Sequence, residues 1–284
     1  MSLKIALCAF VFCGLSQYVD GQSKNPTNDL PGYHLVWSDE FNKDGHPDTA
    51  NWSFETGFKR NHELQWYQQD NAFCKGGLCI IEAKRVHLPN PNYVAGSTDW
   101  RTNREFIDYT STSMNTHKKH NWQYGRFIMR ARIDIDAGLW PAFWTLGEHK
   151  PWPSSGEVDI MEYYRGKLLA NVIFGTNRQY KAVYNSSAKP VVDFGAEWSK
   201  AFHVWEMDWD ETGIRLYVDG LLLKDAKMQD IINQDGSNFN PFMQEHYILL
   251  DLALGGDNGG DPTPTQFPRT FAIDYVRVYQ KNHP

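Results

Sequence analysis

Apolar and polar residues alternate one for one along most of this chain, the period of a β-strand whose side chains point to two faces in turn. Within residues 127–133, Phe127, Met129, Ala131 and Ile133 share one face, while Arg130 and Arg132 share the other. Ile214, Leu216 and Val218 alternate with Arg215, Tyr217 and Asp219, and Asp219-Gly220 supplies a turn. Residues 271–279 form a further β-branched and aromatic run, and only residues 228–233 hint at a helix, a short one. No repeat, charge block or Ser/Pro-rich linker divides the chain. Many strands separated by turn signals predict one all-β domain, an antiparallel β-sandwich of two sheets.

The amino terminus breaks this pattern. Lys4 precedes an almost wholly apolar run over residues 5–15, and Val19-Asp20-Gly21 places small residues where a signal peptidase reads. Residues 1–21 are therefore expected to be a signal peptide cleaved before Gln22, leaving residues 22–284 as a single secreted domain. A lipoprotein signal would use Cys13, but Val11 and Phe12 are bulkier than that site prefers. The apolar run is too short to span a membrane as a helix, and no other candidate follows.

Composition narrows the class. A hydrophobic share of 41% with 22% charged residues excludes a disordered chain. The net charge of −6 argues against nucleic-acid partners, which reward dense Lys and Arg. Aromatic residues reach 14%, with 11 Trp against 7 Met, which suits an aromatic β core or a groove that stacks the flat faces of sugars. The histidines are scattered, with no Cys/His metal cluster and no phosphate loop or dinucleotide fingerprint.

Cys8 and Cys13 fall in the signal peptide, and Cys74 and Cys79 bracket Lys-Gly-Gly-Leu. If Gly76-Gly77 is a two-residue hairpin loop, Lys75 pairs with Leu78 and Cys74 faces Cys79 in a non-hydrogen-bonded pair. That geometry permits a disulfide in an exported protein. It equally fits two small apolar residues on a buried strand.

The candidate chemistry lies in Gly156-Glu-Val-Asp-Ile-Met-Glu162. On a regular strand Glu157 and Asp159 share a face, whereas Glu162 points the other way. One extra residue at Ile160 or Met161, a β-bulge, would return Glu162 to the acidic face. Crowded carboxylates repel, so at least one should keep its proton beside an ionised neighbour, as retaining glycoside hydrolysis requires. Spacing alone also fits an acidic solvent face on an edge strand.

Around these carboxylates stand Leu139-Trp-Pro-Ala-Phe-Trp144, Trp152-Pro-Ser-Ser and Tyr163-Tyr164. With Leu35-Val-Trp-Ser-Asp-Glu-Phe41, Asn61-His-Glu-Leu-Gln65, Leu252-Ala-Leu-Gly-Gly256 and the stretch 274–279, the chain resembles glycoside hydrolase family 16, on its laminarinase-like branch. The resemblance runs in order through nearly all of residues 22–284. It implies a β-jelly-roll with a substrate cleft across the concave sheet and no catalytic cofactor. Glu157 then matches the nucleophile, Glu162 the acid/base, and Asp159 the residue that tunes the nucleophile. Trp140 and Trp144 match tryptophans that pack against sugar rings, and Asn61 a residue on the non-reducing side of the substrate. The resemblance further implies a structural calcium held by the Glu40 carboxylate, the Gly77 carbonyl and the Asp274 carboxylate, a hard oxygen set.

Three positions depart from that pattern. Thr112-Ser113-Met114 lacks an arginine, the stretch 170–175 lacks a histidine, and Asp251 stands where Asn is usual. They leave β-1,3-glucan and mixed-linkage β-1,3-1,4-glucan both open as substrates, with agarase or porphyranase activity less favoured. A non-catalytic β-glucan-binding lectin has no need of the acidic trio. The protein is expected to act as a monomer on β-glucan. Asn51-Trp-Ser and Asn185-Ser-Ser are glycosylation sequons that matter only in a eukaryotic host.

Overall fold

The computed structural model describes residues 30–282. The signal peptide, its cleavage point, Cys8 and Cys13 lie outside the described residues. In chain order the strands are β1 (Tyr33–Asp39), β2 (Ser53–Phe54), β3 (Gln65–Tyr67), β4 (Ala72–Lys75), β5 (Leu78–Pro89) and β6 (Phe106–Ser111). Next come β7 (Ser113–Asn115), β8 (Gly125–Ile133), β9 (Leu139–Gly147), β10 (Glu157–Tyr164), β11 (Lys167–Gly175) and β12 (Ala182–Pro190). The last are β13 (His203–Asp210), β14 (Gly213–Val218), β15 (Leu221–Lys227), β16 (His246–Leu254) and β17 (Arg269–Lys281).

They form two sheets. A ten-stranded sheet runs β15-β14-β13-β8-β17-β5-β6-β3, with β1 also on β17 and β4 on β5. A seven-stranded sheet runs β12-β11-β10-β9-β16-β7-β2. The core takes Phe127, Met129, Ala131, Ile133, Ile214, Leu216 and Val218 from the first sheet, as the alternation predicted. Phe143, Val158, Val172, Phe174, Ile248 and Leu250 meet them from the second. Among the strand pairs of the described residues only β3–β6 is parallel, so the antiparallel sandwich holds.

The expected helix shrinks to a single 3-10 turn, Met228–Asp230, too short to present an apolar face. A four-residue helix, Gly256–Gly259, was not foreseen, because its glycines carry no amphipathic pattern. No helix of the described residues is long and apolar enough to cross a membrane.

Two expectations on the ten-stranded sheet are corrected. The hairpin forms as predicted, with Lys75 opposite Leu78, Cys74 opposite Cys79, and positive φ at Gly76 and Gly77. The cysteines nevertheless stand as two buried free thiols rather than a disulfide. The Cys79 thiol is held well above its ordinary range by a hydrogen bond with Cys74 and by burial, so it stays protonated and unreactive. The residues expected to hold calcium do not fit the ion. Glu40 gives both oxygens to Arg277, at 2.8 and 2.7 Å, and Asp274 pairs with Arg130. Two arginines thus neutralise the charge that calcium would have met. Gly77 is left with a lone carbonyl. Among the described residues no cluster of three His, Cys, Asp or Glu is placed to hold a metal.

Candidate active site

The site is built on β10, and the bulge predicted there is present. Pairing with β9 slips between Asp159 and Met161, and pairing with β11 between Asp159 and Glu162. Val158, Ile160, Met161 and Tyr163 all enter the core. Two successive residues, Ile160 and Met161, therefore point inward, and Glu162 returns to the face that carries Glu157 and Asp159. The acidic-solvent-edge alternative fails on two counts. β10 lies inside the sheet between β9 and β11, and Asp159 and Glu162 are both buried.

Each carboxylate has its own donors. Trp152 Nε1 donates to Glu157 Oε2 at 2.6 Å, and Trp140 Nε1 donates to Glu162 Oε1 at 2.7 Å. Asn171, on β11 opposite Asp159, donates from Nδ2 to Asp159 Oδ2 and Glu162 Oε2, both at 2.8 Å. Glu157 and Asp159 share a hydrogen bond, which requires that one of them hold a proton.

Burial dominates the titration. Desolvation, then the charge of Asp159, hold Glu162 well above the ordinary carboxylate range, against the opposing bonds from Trp140 and Asn171. Desolvation and Asp159 do the same to Glu157. Burial lifts Asp159 to about 6, with Asn171 and Glu157 pulling it down. The trio thus keeps protons near neutral pH and can both donate one and accept one.

Trp140 and Trp144 do reach this face, but as hydrogen-bond donors more than as open platforms. They are only 6% and 8% exposed, whereas Trp152 is 37% and Tyr184 61% exposed. Tyr184 stands in the register row Glu157–Ile173–Tyr184, and its hydroxyl is pushed up by burial and by all three carboxylates. Open stacking surface therefore lies on Trp152 and Tyr184.

A second polar network lies on the other side of the trio. Trp144 Nε1 donates to Asp251 Oδ1 at 2.7 Å, and Tyr67 OH lies 3.0 Å from Asp251 and 3.2 Å from Glu63. Asn61 Nδ2 donates to Glu63 Oε1 at 3.2 Å, which ties Asn61 through Glu63 and Tyr67 to Trp144. Burial raises Glu63 to about 7 and Asp251 to about 6. Gln65 Nε2 also donates to Glu63 at 2.7 Å, so each carboxylate has a donor besides the Tyr67 hydroxyl. Tyr67 and Arg60 were absent from the sequence reading, and Glu63 and Asn171 stood in it only within longer motif stretches. Asp251 was noticed only as a departure, and Trp152 only as a motif neighbour. Nothing local marks Tyr67, Arg60 or Asn171.

A carboxyl that keeps its proton beside one that can ionise, on the outer face of a β-sandwich, is what cleavage of a glycosidic bond needs, and the class this defines is the glycoside hydrolases. The model of glycosyl hydrolases family 16 matches residues 58–277, and the chain belongs to that family. A beta-glucanase of Rhodothermus marinus is 32% identical over 265 residues, 88% of this chain and 86% of that protein. The laminarinase catalytic domain of Thermotoga maritima superposes with a TM-score of 0.74 at 30% identity, covering 88% of this chain and 99% of that one. A structure from work on endo-acting O-glycanases, which prominent human gut bacteria express to initiate mucin breakdown, gives 0.82 at 31% identity. It covers 90% of this chain and 94% of that one.

Proposed function

We propose that this hydrolase cuts β-1,3-linked glucan internally, with or without neighbouring β-1,4 bonds, and with retention of configuration. The observation that carries the reaction is the bulge at Ile160-Met161, which sets Glu162 beside Glu157 on one recessed face. In this reading Glu157 attacks the anomeric carbon while Glu162 gives its proton to the leaving oxygen. The carboxyl hydrogen bond between Glu157 and Asp159 passes its proton to Asp159 as Glu157 ionises. Glu162 then takes a proton from the water that releases the glycosyl-enzyme. No step needs a metal or cofactor.

The glucan substrate is supported by the relatives named above, a beta-glucanase and a laminarinase. One comparison favours a second reading, action on O-glycan chains. The O-glycanase structure superposes with 0.82 against 0.74 for the laminarinase, and the chain departs from the laminarinase pattern at Ser113 and Asp251. The apolar amino-terminal run supports export, and we expect a monomer.

Product analysis on laminarin, barley glucan, lichenan, agarose and mucin O-glycans side by side tests the reading. Early digestion of laminarin should give a spread of oligosaccharides and a rapid fall in chain length. Release of glucose alone, or cleavage of mucin O-glycans with every glucan untouched, would show the substrate to be wrong.

A further inference from the structure

Register across the seven-stranded sheet places Glu162, Ala142, Asp251 and Ser113 in one row, on β10, β9, β16 and β7. Ser113 therefore lies three strand spacings from β10, roughly 14 Å along the outer face. A guanidinium sits there that belongs to none of these strands. Arg60, from the segment before β3, bonds Ser113 Oγ at 3.2 Å and the Glu55 carboxylate, and Ser113 donates to the same Glu55 oxygen at 2.7 Å. Its Cζ lies 5.2 Å from the centroid of the Trp144 ring and 5.6 Å from that of Tyr67.

Two features separate Arg60 from an ordinary surface ion pair. Both of its hydrogen bonds use Nη2, so Nε and Nη1 hold no partner among the described residues. Its side chain is only 25% exposed, yet neither free nitrogen is among the fully buried unpaired atoms, so both reach solvent within a few ångströms of Trp144. An arginine held by one nitrogen and lying over an indole ring is preorganised to give its remaining donors to sugar hydroxyls.

The charges around it explain how so buried a cation is kept. Glu55 contacts it, and Glu63 and Asp251 act on it through space. Asp251 in turn holds Trp144 through the indole N–H. Arg60 is thus counter-charge to the network that fixes Trp144 as well as a holder of free donors beside that ring, and these two roles are separable by experiment.

We propose that Arg60 is a specificity-determining residue of this hydrolase, binding the hydroxyls of a sugar unit on the Asn61 side of the cleft through Nε and Nη1. The proposal rests on the polysaccharide-hydrolase reading. It does not depend on which polymer is the substrate, because KM is measured on whichever one the product analysis shows to be cut.

Arg60→Gln should raise KM for the polymer by about tenfold to a hundredfold, the range for lost charge-assisted bonds, with the larger part of the loss in KM rather than kcat. The loss should shrink on a short aryl glycoside whose sugar does not reach Ser113. The double variant Arg60→Gln/Asp251→Asn removes both charges together and restores electrostatic balance. If Arg60 binds sugar, the double variant keeps the raised KM. A return to the wild-type KM in the double variant would make Arg60 a counter-charge only and overturn the proposal, as would a silent Arg60→Gln. Should Arg60→Gln alone fail to fold, the double variant carries the same readout.

Discussion

Trp152 donates its indole N–H to Oε2 of Glu157 across 2.6 Å, and it does so from the loop between β9 and β10 rather than from a neighbouring strand. Burial and the Asp159 charge both push Glu157 toward its neutral form, and this bond opposes them. The donor therefore favours the ionised nucleophile that attack requires.

Trp152→Phe keeps the ring and removes the donor. A charge-assisted hydrogen bond is worth about 1.5–3 kcal/mol, so kcat should fall by roughly tenfold to a hundredfold. The apparent pKa of the acid limb in kcat/KM should rise at the same time. A kcat/KM profile on a soluble glucan reads both, and an unmoved acid limb would count against this role.

The two glutamates should separate by chemical rescue. Glu157→Ala should abolish turnover, with azide restoring it on an activated substrate only as the α-glycosyl azide. Glu162→Ala should keep activity on substrates whose leaving group needs no proton and give the β-glycosyl azide. NMR of the isolated azides decides the matter, and exchanged anomers would reverse the assignment.

Asn171 holds Asp159 and Glu162 with a single amide nitrogen, and both bonds favour the ionised carboxylates. Asn171→Leu removes both, so both groups should titrate higher. The whole bell-shaped profile should move to higher pH, by up to about one unit, and kcat should fall. A profile that narrowed without moving would show that Asn171 acts by packing alone.

Folding stability should fall as pH rises through neutrality. Asp159 and Asp251 are raised from 3.8 to about 6, and Glu63 from 4.5 to about 7. A carboxyl with a raised folded pKa stabilises fully below its unfolded value and loses that contribution as pH climbs through the folded one. The window is therefore roughly pH 4 to 7, and the upper bound for Asp251 alone is about 3 kcal/mol. Urea melts across this range should show the decline, and Asp251→Asn should flatten it. Stability that rose with pH would contradict the assigned directions.

Strand alternation was legible residue by residue, because an antiparallel strand in a sandwich has one face in the core and one out. The faces of β8 and β14 follow from it directly. The same period placed Glu157 and Asp159 together, and the single misfit, Glu162, was enough to locate the bulge at Ile160-Met161. Local turn chemistry likewise set the Gly76-Gly77 hairpin and the Cys74–Cys79 pairing. In each of these the interacting residues are neighbours along the strand or across one turn, so local rules suffice.

Tertiary structure decided the rest. In space β9 stands between β10 and β16, and β16 between β9 and β7, an order that the chain does not follow. The β9–β16 pairing brings Trp144 to Asp251 across 107 positions, and Tyr67 reaches the same carboxylate from β3 of the other sheet across 184. In the ten-stranded sheet, β17 pairs with both β1 and β8, which gives Glu40 to Arg277 and Asp274 to Arg130 and removes the carboxylates that calcium would have used. Local pattern decides which way a side chain points. Which charge or ring it then meets depends on strand order, and strand order is settled by burying the whole sheet face at once.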